Sequence, residues 1–135
     1  MIEKLDVKED NMKTTDEEQH RENEIIDQER MNELIELDDP ELIKELITIY
    51  FREGSQSLDE ISLAIQNQQP KDLRAAAHKL KGGSASLGIK KVIKLSFEIE
   101  QLAERGIIED TKPLFEKIKP VFEEAKEYLT KMYLS

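Results

Sequence analysis

The chain contains no cysteine and no tryptophan, and aromatic residues make up only 5% of its 135 residues. The absence of cysteine excludes disulfides, a reactive thiolate and a zinc site with cysteine ligands. No apolar run approaches the roughly 18 residues that a membrane span requires. The N-terminus, MIEKLDVKEDNMK, also lacks the apolar core of a signal peptide. We therefore expect a cytoplasmic protein that has no membrane partner.

Negative charge dominates the composition, with 30 acidic against 20 basic side chains and a net charge of −10. This excess argues against general nucleic-acid binding. The sign reverses between residues 71 and 94, where Asp72 is the single acidic residue among seven cations. These seven residues form what we call the basic segment: Lys71, Arg74, Lys79, Lys81, Lys90, Lys91 and Lys94. His78 lies within it, so an anion bound near His78 is favoured over an ordinary solvated surface.

The order of polar and apolar residues predicts an acidic tail followed by one all-α domain. Residues 1–26 are polar and acidic without a sustained period, which is typical of a flexible tail. Residues 27–135 show only helical periodicity, with helices expected over about 27–37, 40–66 and 70–88 and another from Ile89 that stops at Gly106. Pro120 interrupts the apolar pattern of a last helix, which is therefore either kinked there or starts later. Short connections between long amphipathic helices predict an antiparallel up-down four-helix bundle with a short additional N-terminal helix.

The helix expected over 70–88 carries its histidine on the side away from the core. At about 100° per residue, the apolar side chains of this helix lie opposite His78, which predicts an exposed imidazole. The residues on the histidine's side are Lys71, Arg74, Lys81, Gly82 and Ala85. Two adjacent glycines inside a helix each cost about 1 kcal/mol relative to alanine, so both need a reason. We expect Gly82 to let a partner's backbone approach the imidazole, and Gly83 to let a neighbouring helix pack closely.

Elimination leaves phosphorus as the target of this histidine. A zinc site needs three or four ligands, and neither a second histidine four residues away nor a cysteine is present. A Ser-His-Asp triad would need an orienting carboxylate, which the basic segment does not offer on the histidine's side. A neutral imidazole can attack a phosphoryl group, and nearby lysines can stabilise the charge on its oxygens. No Gly-rich phosphate loop follows a strand, so we expect a phosphoryl carrier without its own ATP site rather than an enzyme.

The stretch AAAHKLKGGSASLG, from Ala75 to Gly88, closely resembles the signature of histidine-containing phosphotransfer (HPt) domains. The flanking stretches LITIYFREGSQSLDEI and LSFEIEQLAERG are similar to that family too, so the resemblance covers about residues 30–130. It implies a four-helix bundle whose His78 relays a phosphoryl group between receiver-domain aspartates in a multistep two-component phosphorelay. By position, Lys81 would neutralise the phosphate and Gly82 would admit the receiver. The resemblance implies no cofactor in this chain, with Mg²⁺ held by the partner receiver domain.

The position 22 residues after His78 departs from the family pattern. Some members carry a glutamine there that hydrogen-bonds the histidine, whereas this chain has Glu100 followed by Gln101. Glu100 could instead accept a hydrogen bond from the imidazole N–H and so fix which ring nitrogen is free to attack phosphorus. Lys79, Arg74, Lys71 and Ala85 are further candidates for supporting residues.

The expected partners are receiver domains of response regulators or of hybrid sensor histidine kinases, bound by a monomer. Whether the chain is free-standing or part of a kinase is left open by the sequence. One alternative is a docking module that binds and inhibits a kinase or receiver without being phosphorylated. Another is a plain structural bundle, which would leave the paired glycines and the basic segment unexplained.

Overall fold

The computed structural model of the chain describes residues 25–134. These residues form five α-helices and a final π-helical turn, with bounds α1 Gln28–Ile35, α2 Pro40–Gln66, α3 Pro70–Leu87, α4 Lys90–Glu104, α5 Thr111–Leu129 and the π turn Thr130–Leu134. Helix α3 packs between α2 and α4, and α5 closes the bundle by contacting both α4 and α2. The predicted four-helix bundle with a short additional N-terminal helix is confirmed.

Local signals in the sequence account for where the helices begin and end. The Asp39 side chain caps α2 by accepting a hydrogen bond from the Leu42 backbone N–H at 3.1 Å, and Pro40 occupies the first helical position. Asp27 caps α1 in the same way. Gly88 ends α3 with a φ of 73°, a left-handed conformation that residues with a Cβ rarely adopt.

The folded part of the chain begins earlier than the sequence pattern predicts. Ile25 and Ile26 are only 7% and 2% exposed and belong to the core. The backbone N–H of Asp27 donates to the Gly88 carbonyl at 2.7 Å, which ties this segment to the junction of α3 and α4. The predicted boundary between residues 26 and 27 is therefore wrong, because the folded domain begins at least two residues earlier, at or before Ile25. The rest of the predicted tail, residues 1–24, lies outside the described residues.

Helix α5 continues through Pro120 and begins well before it. Proline lacks an N–H and leaves the carbonyl four residues earlier without its helical partner. Pro120 is exposed, as is Glu116 one turn earlier, so water can hydrate that carbonyl. Of the two alternatives for the last helix, a start beyond Pro120 is wrong, because the helix begins at Thr111 and contains Pro120.

A buried contact between three helices holds the centre of the bundle. Tyr50 of α2 and Ser84 of α3 share a hydrogen bond of 2.8 Å between their hydroxyls. The Tyr50 ring lies 5.4 Å from that of Phe122 of α5. Burial raises the pKa of Tyr50 well above its ordinary value of 10, so the phenol stays neutral. Gly54 lies one turn after Tyr50, where a Cβ would stand 2.6 Å from Phe122 Cε1.

We predict that Gly54→Ala destabilises the bundle although alanine is the better helix former. The added methyl would collide with the buried Phe122 ring, and overpacking costs about 1–3 kcal/mol. The higher helix propensity of alanine offsets about 1 kcal/mol of this cost. The free energy of unfolding should therefore fall by up to about 2 kcal/mol in urea titrations. The matched control is Gly82→Ala, where nothing lies within 4 Å of the added Cβ and stability should rise slightly. Equal effects of the two substitutions would contradict this packing argument.

Candidate functional site

His78 projects from α3 into solvent, with 68% of its side chain exposed. The leucines on the opposite side of α3, Leu73 and Leu80, are fully buried. His78 Nδ1 lies 2.8 Å from Glu100 Oε2 on α4. An ionised carboxylate can only accept a hydrogen bond, so Nδ1 carries the proton in this contact. The other ring nitrogen, Nε2, is then the one with a free lone pair.

Glu100 connects the histidine to Lys81. The carboxylate is largely buried, and its second oxygen, Oε1, lies 2.8 Å from Lys81 Nζ. Burial on its own would raise the pKa of Glu100. Hydrogen bonds from Lys81 and His78, together with their charges, outweigh that effect, so the pKa lies below its ordinary value of 4.5. Glu100 is therefore a carboxylate anion at neutral pH, held by two side chains of α3.

The two glycines of α3 have different surroundings. Gly82 is exposed, and an added Cβ there would meet nothing within 4 Å, so the surface next to His78 is open. Gly83 is exposed as well, and its Cβ would make an ordinary contact of 3.7 Å with the Tyr50 ring. The prediction that Gly83 is needed for close helix packing is wrong, because alanine would fit there. Gly54 on α2 holds the close-packing position instead.

The remaining predicted site residues are spread around α3 and α4. Lys79 points toward α2, where its Nζ lies 3.0 Å from Glu60 Oε1. Lys71, Arg74 and Ala85 are exposed on α3, and Gln101 is exposed on α4. The structure thus brings His78, Lys81 and Glu100 into direct contact, whereas Lys79 forms a separate pair and the histidine's partner on α4 is Glu100.

One residue at this site, Phe97, was not predicted from the sequence. Phe97 of α4 is 44% exposed, and the Lys81 ammonium lies 5.0 Å from its ring centroid. The sequence does show a large aromatic residue outside the apolar stripe of α4, which could have indicated a role for Phe97. Its position on α4 does not, however, reveal which side chain of another helix it contacts.

An open groove between α2 and α3 is lined in part by Gly83. Its lining includes Leu46, Ile49 and Tyr50 from α2 and Gly83 and Leu87 from α3. The groove is largely apolar and borders the helix that carries His78.

Residues 25–134 contain neither a metal-ligating cluster nor a membrane-spanning helix. In that part of the chain, no group of three or more His, Cys, Asp or Glu side chains is arranged to hold a metal ion. None of the helices in residues 25–134 is both long and apolar enough to cross a membrane.

Comparison with known proteins assigns this bundle, with its exposed histidine on α3, to a class of phosphotransfer domains. The Hpt domain family model matches residues 45–132, more than half of the chain, and the chain belongs to this family. Hpt domains are phosphocarrier modules, so membership supports a histidine phosphotransfer role in two-component signalling.

Individual relatives are consistent with that assignment. The chain is 30% identical over 79 residues to multistep phosphorelay regulator 1 of Schizosaccharomyces pombe, covering 56% of this chain and 27% of the relative. It is 32% identical over 76 residues to the sensor protein TorS of Escherichia coli, covering 56% of this chain and 8% of TorS. The chain thus corresponds to a small part of each.

Among solved structures, histidine-containing phosphotransfer protein B (HptB) of Pseudomonas aeruginosa superimposes with a TM-score of 0.75. The alignment covers 82% of this chain and 95% of HptB at 22% sequence identity. At that identity the similarity establishes the shared fold.

We predict that the Glu100 contacts make stability depend on pH. Because the pKa of Glu100 is lowered in the folded chain, its contribution is complete above about pH 4.5 and is lost as the pH falls through the folded-state pKa. In urea titrations from pH 7 to pH 3, the free energy of unfolding of the parent should fall more steeply below pH 4.5 than that of Glu100→Gln.

Glu104→Gln on the same helix is the matched control, since Glu104 is exposed. Its pH profile should follow the parent. Parallel profiles of the parent and Glu100→Gln would contradict the prediction.

Proposed function

We propose that this chain accepts a phosphoryl group on Nε2 of His78 and relays it between the aspartates of receiver domains. The observation that carries the proposal is the contact of 2.8 Å between His78 Nδ1 and Glu100, in an imidazole that is otherwise exposed. That contact favours the tautomer with the ring proton on Nδ1 and a free lone pair on Nε2, in a side chain that is 68% exposed. The relatives, a phosphorelay regulator and a sensor protein, support the same role.

The chemistry needs two displacements at phosphorus. In the first, the Nε2 lone pair attacks a receiver's aspartyl phosphate, the N–P bond forms, and the P–O bond breaks to release the aspartate carboxylate. The Nδ1 proton stays hydrogen-bonded to Glu100, which stabilises the positive charge that develops on the ring. In the second, an aspartate oxygen of another receiver attacks phosphorus and the imidazole leaves.

Lys81 is proposed to neutralise the phosphoryl oxygens during both displacements. It follows His78 by three residues on α3, so the two side chains project from the same side of the helix one turn apart. In the structure its ammonium is held by Glu100, next to the imidazole. A preorganised cation at this position stabilises charge without having to be recruited from solvent.

The receiver is proposed to dock over Gly82 and along the apolar groove between α2 and α3. Gly82 presents no side chain to a partner, and the groove offers Leu46 and Ile49 beside the helix of His78. Mg²⁺ would be held by the receiver, and this chain would supply no ATP site. The monomeric state and the cytoplasmic location stay predictions from the sequence.

Phosphorylation with phosphoramidate tests the central step. We expect the purified chain to gain one acid-labile phosphoryl group on His78, identified by peptide mapping under mildly alkaline conditions. His78→Gln should abolish this labelling while leaving the helical circular dichroism unchanged, because the side chain is largely exposed.

His20, in the acidic N-terminal segment, serves as an internal control and should react no faster than histidine in a free peptide. If His78 reacts no faster than His20, the proposed carrier function is contradicted and the docking-module alternative is favoured. In that case, the His78→Ala variant would still bind a kinase or receiver and inhibit it.

We predict that Gly82→Leu separates docking from chemistry. The leucine would project into the open surface beside His78 and obstruct a receiver, whereas phosphoramidate is small enough to reach Nε2. Transfer to a receiver domain should fall by at least about tenfold, which corresponds to roughly 1.4 kcal/mol, with labelling by phosphoramidate close to the parent rate. Gly82→Ala should cause a smaller loss. Full receiver transfer by Gly82→Leu would rule out docking over this glycine.

A further inference from the structure

Phe97 combines exposure with a specific contact at the site. An isolated apolar side chain on a protein surface is ordinary, so 44% exposure alone would indicate nothing. This ring, however, lies 5.0 Å from the Lys81 ammonium, within the distance at which a cation is attracted to an aromatic face. The same ammonium contacts Glu100, which in turn contacts His78. The four side chains therefore form a continuous series from Phe97 to the histidine.

The two contacts of Lys81 restrict where its ammonium can be. A surface lysine ordinarily samples many rotamers, and ordering it costs conformational entropy. Here the Lys81 side chain is only 28% exposed and its Nζ is held by the Phe97 ring and by Glu100 Oε1. Of these two contacts, only the one with Glu100 would remain to restrain the Lys81 ammonium if the Phe97 ring were lost.

We infer that Phe97 is a positioning residue for phosphoryl transfer, whose ring holds the Lys81 ammonium beside His78 before the phosphoryl group arrives. The inference rests on the proposed function of His78 and adds to it a residue of α4 that acts through Lys81. It requires an aromatic ring at position 97, since an aliphatic side chain of similar size has no π face.

A second ring and lysine in the same protein show what distinguishes this pair. Lys119 also lies 5.0 Å from a phenylalanine centroid, that of Phe115 on α5. Phe115 is 7% exposed and belongs to the core, so its substitution would act through stability. Phe97 is outside the core, and its substitution can be tested in a folded chain.

The experiment compares initial rates of His78 phosphorylation by phosphoramidate in the parent, Phe97→Leu and Phe97→Tyr. This small donor requires no docking, so a contact between Phe97 and a receiver cannot affect the rate. We expect Phe97→Leu to slow labelling roughly two- to fivefold, the range that an exposed cation–π contact supports. Phe97→Tyr should retain the parent rate. In a Lys81→Ala background, Phe97→Leu should have no further effect.

Two measurements guard against indirect effects. Met132→Leu, at another exposed apolar residue, should label at the parent rate. In the NMR spectrum, the Cε protons of Lys81 should be shifted upfield by the ring current of Phe97, and Phe97→Leu should remove that shift without moving the signals of Lys79.

The outcomes separate this inference from the proposed function. If the parent is labelled on His78 and Phe97→Leu is labelled at the same rate, the positioning role is overturned and the carrier function stands. An equal loss in the Lys81→Ala background would also overturn it, because Phe97 would then act independently of the lysine. If His78 of the parent is not labelled, the proposed function fails, and the inference fails with it.

Discussion

The buried carboxylate of Glu100 is the constraint on which the site depends. A largely buried anion is costly unless it is paired, and Glu100 is paired on both oxygens by side chains of the neighbouring helix. Pairing joins α4 to α3 and orients the His78 ring and the Lys81 ammonium. One charge thus joins the packing of two helices to the chemistry of an exposed nitrogen.

The rest of the bundle holds those two helices in place. The Tyr50–Ser84 hydrogen bond joins α2 to α3, and the Phe122 ring packs against Tyr50 and into the space left by the missing side chain at Gly54. At the end of α3, the Ile25–Asp27 segment covers Gly88, where a Cβ would lie 3.0 Å from that of Asp27. These contacts lie apart from Gly82, where the surface next to His78 is open.

Much of the fold could be read from the sequence, because local chemistry sets where helices begin and end. Asp39 with Pro40 started α2, Gly88 ended α3, and the apolar period placed His78 opposite the core. The errors came from contacts between segments distant in sequence. The glycine needed for close packing was Gly54 rather than Gly83, because a ring of α5 meets α2 there. Ile25 and Ile26 were predicted to belong to the polar tail, but they are buried in the core of the bundle.

The sequence by itself determined the all-α class, the exposed histidine and the basic segment around it, since each follows from composition or from the period of a single helix. It also left Glu100 as a candidate partner of the imidazole. Only the tertiary structure decided that Glu100 is shared between His78 and Lys81, that Lys79 pairs with Glu60, and that Phe97 meets the Lys81 ammonium. The physical reason is that side chains on different helices meet through the rotation and register of those helices, which core packing sets and no single stretch of sequence encodes.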